Sequence, residues 1–274
     1  MKKQLIIFTD LDGTLLDAST YSFEQAAEAL ALVSECHIPL IICSSKTRTE
    51  IEHYRVMLKN NHPFISENGG GIFIPKGNIN LKEYADKTHV EEIDDYHAIL
   101  LGASYKELRR VIEALRIKGF NVKGFGDMTV DEVSQVTGLS LEEAAMARQR
   151  EFDEPFLFQG AEDGLKALFK SIHELKFNFT QGTFFHLLGD SDKGKAVSVL
   201  IDLYTEQFKD IYTIAIGDSP NDLPMLRNVD IPVIVKKKNG TYDQAITLPN
   251  LIRADGVGPE GWNKAITQII KNIL

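Results

Sequence analysis

The chain has 274 residues, 43% of them apolar, which is enough for one large or two modest domains with real hydrophobic cores. Its 39 acidic against 30 basic residues give a net charge of −9, which excludes nucleic acid and anionic membrane surfaces as natural partners. Two cysteines, Cys36 and Cys43, are too few for a disulfide framework or a zinc site, and the apolar run near the basic start of the chain is too short for a signal segment or a membrane span. The expectation is a soluble, cytoplasmic protein with core thiols.

Taken in chain order, residues 5–7 form an apolar run that predicts a buried strand, followed by Phe8-Thr9-Asp10-Leu11-Asp12-Gly13-Thr14. Ligands of open parallel α/β sheets bind outside the carboxyl ends of the strands, so two acids two residues apart stand at such an opening. An ionised carboxylate can attack phosphorus and split one displacement into two; Asp10 has that position. Asp12 can protonate the departing oxygen and deprotonate the attacking water. Gly13 permits a tight turn and Thr14 can tie it by hydrogen bonding. The alternative is two solvated acids on a surface strand end.

Ser22 with Gln25 predicts a capping box, and Phe23, Ala26, Ala27, Leu30 and Val33 keep a helical stripe before an apolar strand over 38–43. Ser44 follows as a candidate phosphate ligand or an ordinary N-cap. Thr47 with Glu50 opens the next helix, and 64–66 is a short strand. This βαβαβ run implies a parallel sheet. Glu67, Asn68 and the glycines at 69–71 then form either part of a site rim or a plain turn. Asn78 and the charged stretch 82–95 mark the passage into an inserted α+β unit: a strand at 97–101, a helix over 104–117, and a strand near 120–124. Two short helices follow, signalled by Thr129 with Glu132 and Ser140 with Glu143 and separated by Gly138, then strands near 155–158 and 177–180 flanking a helix over 164–174. The division is 1–82 and 189–274 for the core and 83–188 for the insert. Arg150 and Glu151, a cation and an anion closing a helix, are candidate substrate contacts, or else a surface charge network. His186 reads as a strand residue or a functional one.

After Gly189 the chain returns to the core. Lys193 opens a helix, where a cation opposes the dipole and invites an anionic partner, so it is a candidate phosphate ligand. The strand predicted over 211–216 ends in Gly217-Asp218-Ser219-Pro220-Asn221-Asp222. Oxygen ligands in low number suit Mg²⁺, with Asp10, the backbone carbonyl of Asp12 and Asp218 as the holding set. Asn221 and Asp222 either support those ligands or cap the next helix.

Together these segments resemble the four ordered motifs of the haloacid dehalogenase superfamily of phosphatases: Asp10-Leu11-Asp12-Gly13-Thr14, Ser44, Lys193, and Gly217-Asp218 with Asn221-Asp222. The long stretch between Ser44 and Lys193 looks like the α+β cap of the C2 branch, shared with Cof-type sugar phosphatases, phosphomannomutase and sucrose-phosphatase. The fold implied is α/β, a Rossmann-like core with a parallel sheet and a separate C2-type cap. Four further stretches (Ser45-Lys46-Thr47-Arg48, Phe64 to Gly69 with Ile72 to Pro75, Ala147 to Phe152 before Glu154-Pro155, and Phe185-His186-Leu187-Leu188-Gly189) narrow the resemblance to the mannosyl-3-phosphoglycerate phosphatase family. That resemblance implies Mg²⁺-dependent hydrolysis of 2-O-mannosyl-3-phosphoglycerate, a small phosphorylated sugar-glycerate, to the compatible solute mannosylglycerate. Thr183 stands where that family carries arginine, and threonine offers no bidentate cation. Glucosyl-3-phosphoglycerate, sucrose phosphate and hexose phosphates therefore stay open as substrates, as do a phosphomutase and a catalytically silent sugar-phosphate binder.

Overall fold

The computed structural model describes residues 3–81 and 89–274. Strands β1 (Gln4–Thr9), β2 (Leu40–Cys43), β3 (Phe64–Ser66), β11 (Ile211–Gly217), β12 (Ile231–Lys236) and β13 (Ile252–Val257) pair in parallel in the order β13-β12-β11-β1-β2-β3. β4 (Gly71–Pro75), β6 (Tyr96–Leu100) and β5 (Glu91–Ile93) extend the sheet antiparallel beyond β3. The central strands are apolar on both sides because helices cover both faces. On one face Leu5, Ile7, Ile42 and Ile214 pack with Val33 of α1 (Ala27–Glu35) and with the carboxyl-terminal helix Gly258–Ile273, which carries Trp262. On the other, Ile6, Phe8, Ile41 and Ala215 pack with Val197 and Leu200 of the helix Lys193–Phe208. The chain's one tryptophan is fully buried, and its indole Nε1 donates to Thr9 Oγ1 at 3.0 Å, directly behind the end of β1.

A second, antiparallel sheet in the order β7-β8-β10-β9 contains Val122–Gly124, Asp153–Phe158, Phe185–Leu188 and Asn178–Gln181. Strand alternation divides its faces. Phe156, Phe185 and Leu187 face the helices Tyr105–Ile117 and Glu162–Glu174, while Leu157 and Phe184 pack with the short helices Val130–Thr137 and Leu141–Ala147. Both short helices begin with the expected capping boxes, Thr129 with Glu132 and Ser140 with Glu143, and Gly138 ends the first in a left-handed conformation.

Two expectations are corrected. The strand assigned to the insert at 97–101 belongs to the main sheet, because β4 reverses direction after β3 and offers its free edge to Tyr96–Leu100. The expected boundary between 82 and 83 lies outside the described residues. Ser22 forms no capping box with Gln25: its Oγ accepts from Glu24 N at 3.2 Å, a short 3₁₀ turn intervenes, and the helix starts at Ala27. Among the described residues, no helix is long and apolar enough to cross a membrane.

Candidate active site

Parallel pairing of β1 with β11 brings the two acidic strand ends side by side: Thr9 lies opposite Ile216, and Asp10 N donates to Ile216 O at 3.0 Å. Asp10, Asp218 and Asp222 are all buried, each with a carboxylate oxygen within 4.8 Å of the others. Lys193 Nζ sits between Asp10 Oδ1 and Asp222 Oδ1, 2.6 Å from each. The anionic partners invited by a cation at a helix start are thus carboxylates of the protein. Asp222 Oδ2 accepts from the backbone N–H groups of Asp218 and Ser219 at 2.9 and 3.0 Å, which fixes the loop after β11. Gly217 is required there, since a Cβ would lie 2.5 Å from the Asp222 carboxylate.

The cluster is short of positive charge, with three carboxylates around one ammonium. Burial, then repulsion from Asp222 and Asp218 against the pull of Lys193, holds the Asp10 carboxyl well above the ordinary carboxylate range. Burial and Asp222 push Asp218 up to about 6. Burial opposes the charge on Lys193, but Asp10 and Asp222 outweigh it and raise its pKa. A divalent cation bound by hard oxygen donors would relieve this imbalance, so the residues fit Mg²⁺. Asp222 has both oxygens engaged, which leaves Asp10 and Asp218 as the side chains able to hold the ion.

Asp12 lies within the turn after β1, which is tied by backbone bonds from Gly13 N to Leu16 O and Thr14 N to Leu11 O; the Thr14 hydroxyl, expected to tie it, is buried without a partner. Asp12 Oδ2 is 3.1 Å from Lys46 Nζ, and Oδ1 is buried with no partner. Lys46 also pairs with Glu50 at 3.4 Å and lies over the Tyr21 ring. Burial opposes its charge, but Asp12 and Glu50 prevail and raise its pKa. Lys46 was not singled out from the sequence, although it stands just before a helix start, the same signal that marks Lys193. Ser44 is not the helix cap: Thr47 fills that role with Glu50, and Ser44 Oγ accepts from Lys46 N at 3.2 Å. Ser44 and Lys193 are both buried, and neither lines the cavity.

That cavity opens between the two units, with Asp10, Asp12, Lys46 and Asp218 on one side and Arg150, Thr183 and His186 on the other. Arg150 is no surface residue: its guanidinium donates to Ala147 O and Ser45 O, both at 2.8 Å. Burial opposes its charge, but Asp153, Glu50 and Glu67 outweigh it. Glu151 does not join it. Its carboxylate turns away to Arg48 at 3.3 Å and is not among the cavity-lining groups.

The Glu67 to Gly71 segment is more than a turn. Glu67 and Asn68 both have left-handed φ values, 48° and 56°, and Gly69 at +96° packs so closely on the start of the Lys193 helix that a Cβ would meet Asp192 O at 2.1 Å. The Glu67 carboxylate accepts from Glu151 N and Phe152 N at 2.9 and 2.8 Å. Asn68 Nδ2 donates to Asp153 Oδ2 at 2.8 Å, Asn221 Nδ2 donates to Asn68 Oδ1 at 3.1 Å, and His186 Nδ1 lies 2.9 Å from the Asp153 carboxylate.

Burial pushes the Glu67 carboxyl up to about 8, against Arg150 and the two backbone donors. A carboxyl with raised proton affinity in the folded state stabilises fully below its unfolded pKa, and that contribution is lost as pH rises through the folded value. Stability should therefore fall between about pH 5 and pH 8, and Glu67→Gln should flatten the fall. Urea midpoints of both proteins across that range measure it; parallel slopes would mean Glu67 does not titrate there.

Residues 7–100 and 145–247 match the haloacid dehalogenase-like hydrolase family. The chain is 49% identical over 267 residues to a glucosyl-3-phosphoglycerate/mannosyl-3-phosphoglycerate phosphatase of Methanococcoides burtonii, covering 97% of each chain. It is 40% identical over 272 residues to a Persephonella marina protein of the same name, covering 98% of each. The crystal structure of a Synechocystis sucrose-phosphatase in complex with sucrose and phosphate superposes with a TM-score of 0.62 at 15% identity, covering 99% of this chain and 98% of that one, a likeness of fold alone.

Proposed function

Because the chain belongs to the haloacid dehalogenase-like hydrolase family and is a phosphatase, we propose that it hydrolyses sugar-3-phosphoglycerates, 2-O-mannosyl-3-phosphoglycerate foremost, with Mg²⁺. The observation that carries this reading is the buried Asp10-Lys193-Asp222 bridge opening onto a cavity lined by Arg150 and Thr183. The bridge leaves the second oxygen of Asp10 as the nucleophile toward phosphorus, forming an aspartyl-phosphate. Lys193 fixes that carboxylate and offsets its charge, acting through Asp10 because its own ammonium is taken on both sides. Asp12, with one oxygen on Lys46 and the other unpartnered, stands ready to pass a proton to the departing sugar-glycerate oxygen and later to take one from water. Asp10, the Asp12 carbonyl and Asp218 would hold Mg²⁺, which when bound neutralises charge on the phosphoryl oxygens. Ser44 supports the strand end, and Asn221 and Asp222 brace the loop that carries Asp218.

The substrate enters between core and insert, and the insert sets its choice, since the phosphate machinery is generic and remote contacts supply specificity. Arg150 is the cation placed for the glycerate carboxylate; Thr183, on the same side of the cavity, adds no charge. Arg150→Ala should raise KM for the sugar-phosphoglycerate about tenfold more than for an aryl phosphate. Equal effects would make it a structural residue. Asp218→Ala should raise the Mg²⁺ concentration for half-maximal activity at least about tenfold, read from a metal titration, and an unchanged midpoint would remove Asp218 from the ligand set.

The deciding experiment is phosphate release from mannosyl-3-phosphoglycerate, glucosyl-3-phosphoglycerate, sucrose-6-phosphate, hexose phosphates and p-nitrophenyl phosphate. Preference for the first two is expected. Preference for a hexose or sucrose phosphate would move the substrate while keeping the chemistry, and release from none would overturn the reading.

A further inference from the structure

Strand geometry makes His186 and Asp153 a pair. His186 lies opposite Pro155 in the antiparallel register, so Asp153, two residues away on the same face, is its diagonal neighbour and within side-chain reach. The carboxylate is fully buried and lies 2.9 Å from Nδ1 through either oxygen. A carboxylate only accepts, so Nδ1 carries the hydrogen, and in the neutral imidazole Nε2 then presents a lone pair. The same rule orients the amides. Asn68 must turn its NH₂ to Asp153, its Oδ1 then accepts from Asn221, and Asn221 is left with an Oδ1 that is buried and has no partner. His186 and Asn221, at the two ends of this hydrogen-bonded chain, both line the cavity, and the neutral imidazole of His186 brings an acceptor to it. An acceptor there suits a hydroxyl donor and disfavours a second anion.

We infer that His186 Nε2 contacts the substrate, accepting a hydrogen bond from a hydroxyl of its non-phosphorylated, polyhydroxylated part, and that Asp153 is the positioning residue that fixes the imidazole tautomer. This rests on the sugar-phosphate reading above. His186→Gln keeps an acceptor near the Nε2 position, whereas His186→Asn keeps only the Asp153 side. Asp153→Asn can donate to Nδ1 and so turn Nε2 into a donor without touching substrate.

The experiment is KM and kcat of these three variants for mannosyl-3-phosphoglycerate and p-nitrophenyl phosphate, with 15N-histidine spectra of the wild-type protein titrated with mannosylglycerate. His186→Asn and Asp153→Asn should raise KM for the sugar substrate about tenfold more than for the aryl phosphate, mostly without loss of kcat, and His186→Gln should recover much of the difference. Mannosylglycerate, which has no phosphate, should shift the His186 Nε2 resonance, and inorganic phosphate should not. Equal losses on both substrates, a His186→Gln variant as poor as His186→Asn, or no response to mannosylglycerate would overturn the inference. The spectra remain decisive if a variant fails to fold. A wild-type protein that hydrolyses p-nitrophenyl phosphate but no sugar-phosphoglycerate would instead refute the substrate reading on which the inference stands.

Discussion

Asp10→Asn should reduce phosphate release by about four orders of magnitude or more while leaving the melting temperature of the metal-free protein unchanged or higher. The loss follows because an amide cannot serve as the attacking and leaving oxygen of an acyl phosphate. The retained stability follows from charge. Burial and the neighbouring acids make the Asp10 carboxylate hard to ionise, so a neutral side chain of the same shape relieves crowding and still accepts from Lys193. Single-turnover phosphate release and thermal melts measure the two halves. Retained turnover would refute covalent catalysis at Asp10, and a large fall in melting temperature would mean the carboxylate is a structural anchor.

Lys193→Met should be the most destabilising single change in the site, by about 3–5 kcal/mol in urea denaturation of the metal-free protein, and should also abolish activity. Lys193 is 1% exposed, and its removal leaves Asp10 and Asp222 buried beside each other with no cation between them. The double variant Asp10→Asn with Lys193→Met should regain part of that stability and none of the activity, because it removes one of the two stranded charges. Additive losses would show that the two residues do not act as a unit.

Much of this was legible in the sequence for a simple reason: parallel strands end where ligands bind, and residues adjacent along the chain, Asp10 with Asp12 and Asp218 with Asp222, stay adjacent in space. The capping boxes at Thr47, Thr129 and Ser140 were equally local, since each needs only four residues. What escaped depended on pairing between distant segments. The 97–101 stretch reads the same whether it joins the main sheet or the insert, and only the reversal of Gly71–Pro75 decides it. Glu151 looked like a companion of Arg150 because sequence gives no side-chain direction outside regular elements. The Asp153-His186 pair joins strands 33 positions apart in sequence, and its diagonal register is invisible until the sheet is built.

Trp262 offers a final consequence. As the chain's one indole, buried in the core with its N–H on Thr9, it makes intrinsic fluorescence a report from a single address, one residue from Asp10. Its emission will follow unfolding of the core sheet while staying blind to the separate packing around Leu108, Phe156 and Leu187 in the insert. Denaturation followed by fluorescence and by far-ultraviolet circular dichroism will coincide only if the two units melt together, and so will tell whether the molecule unfolds as one cooperative body or two.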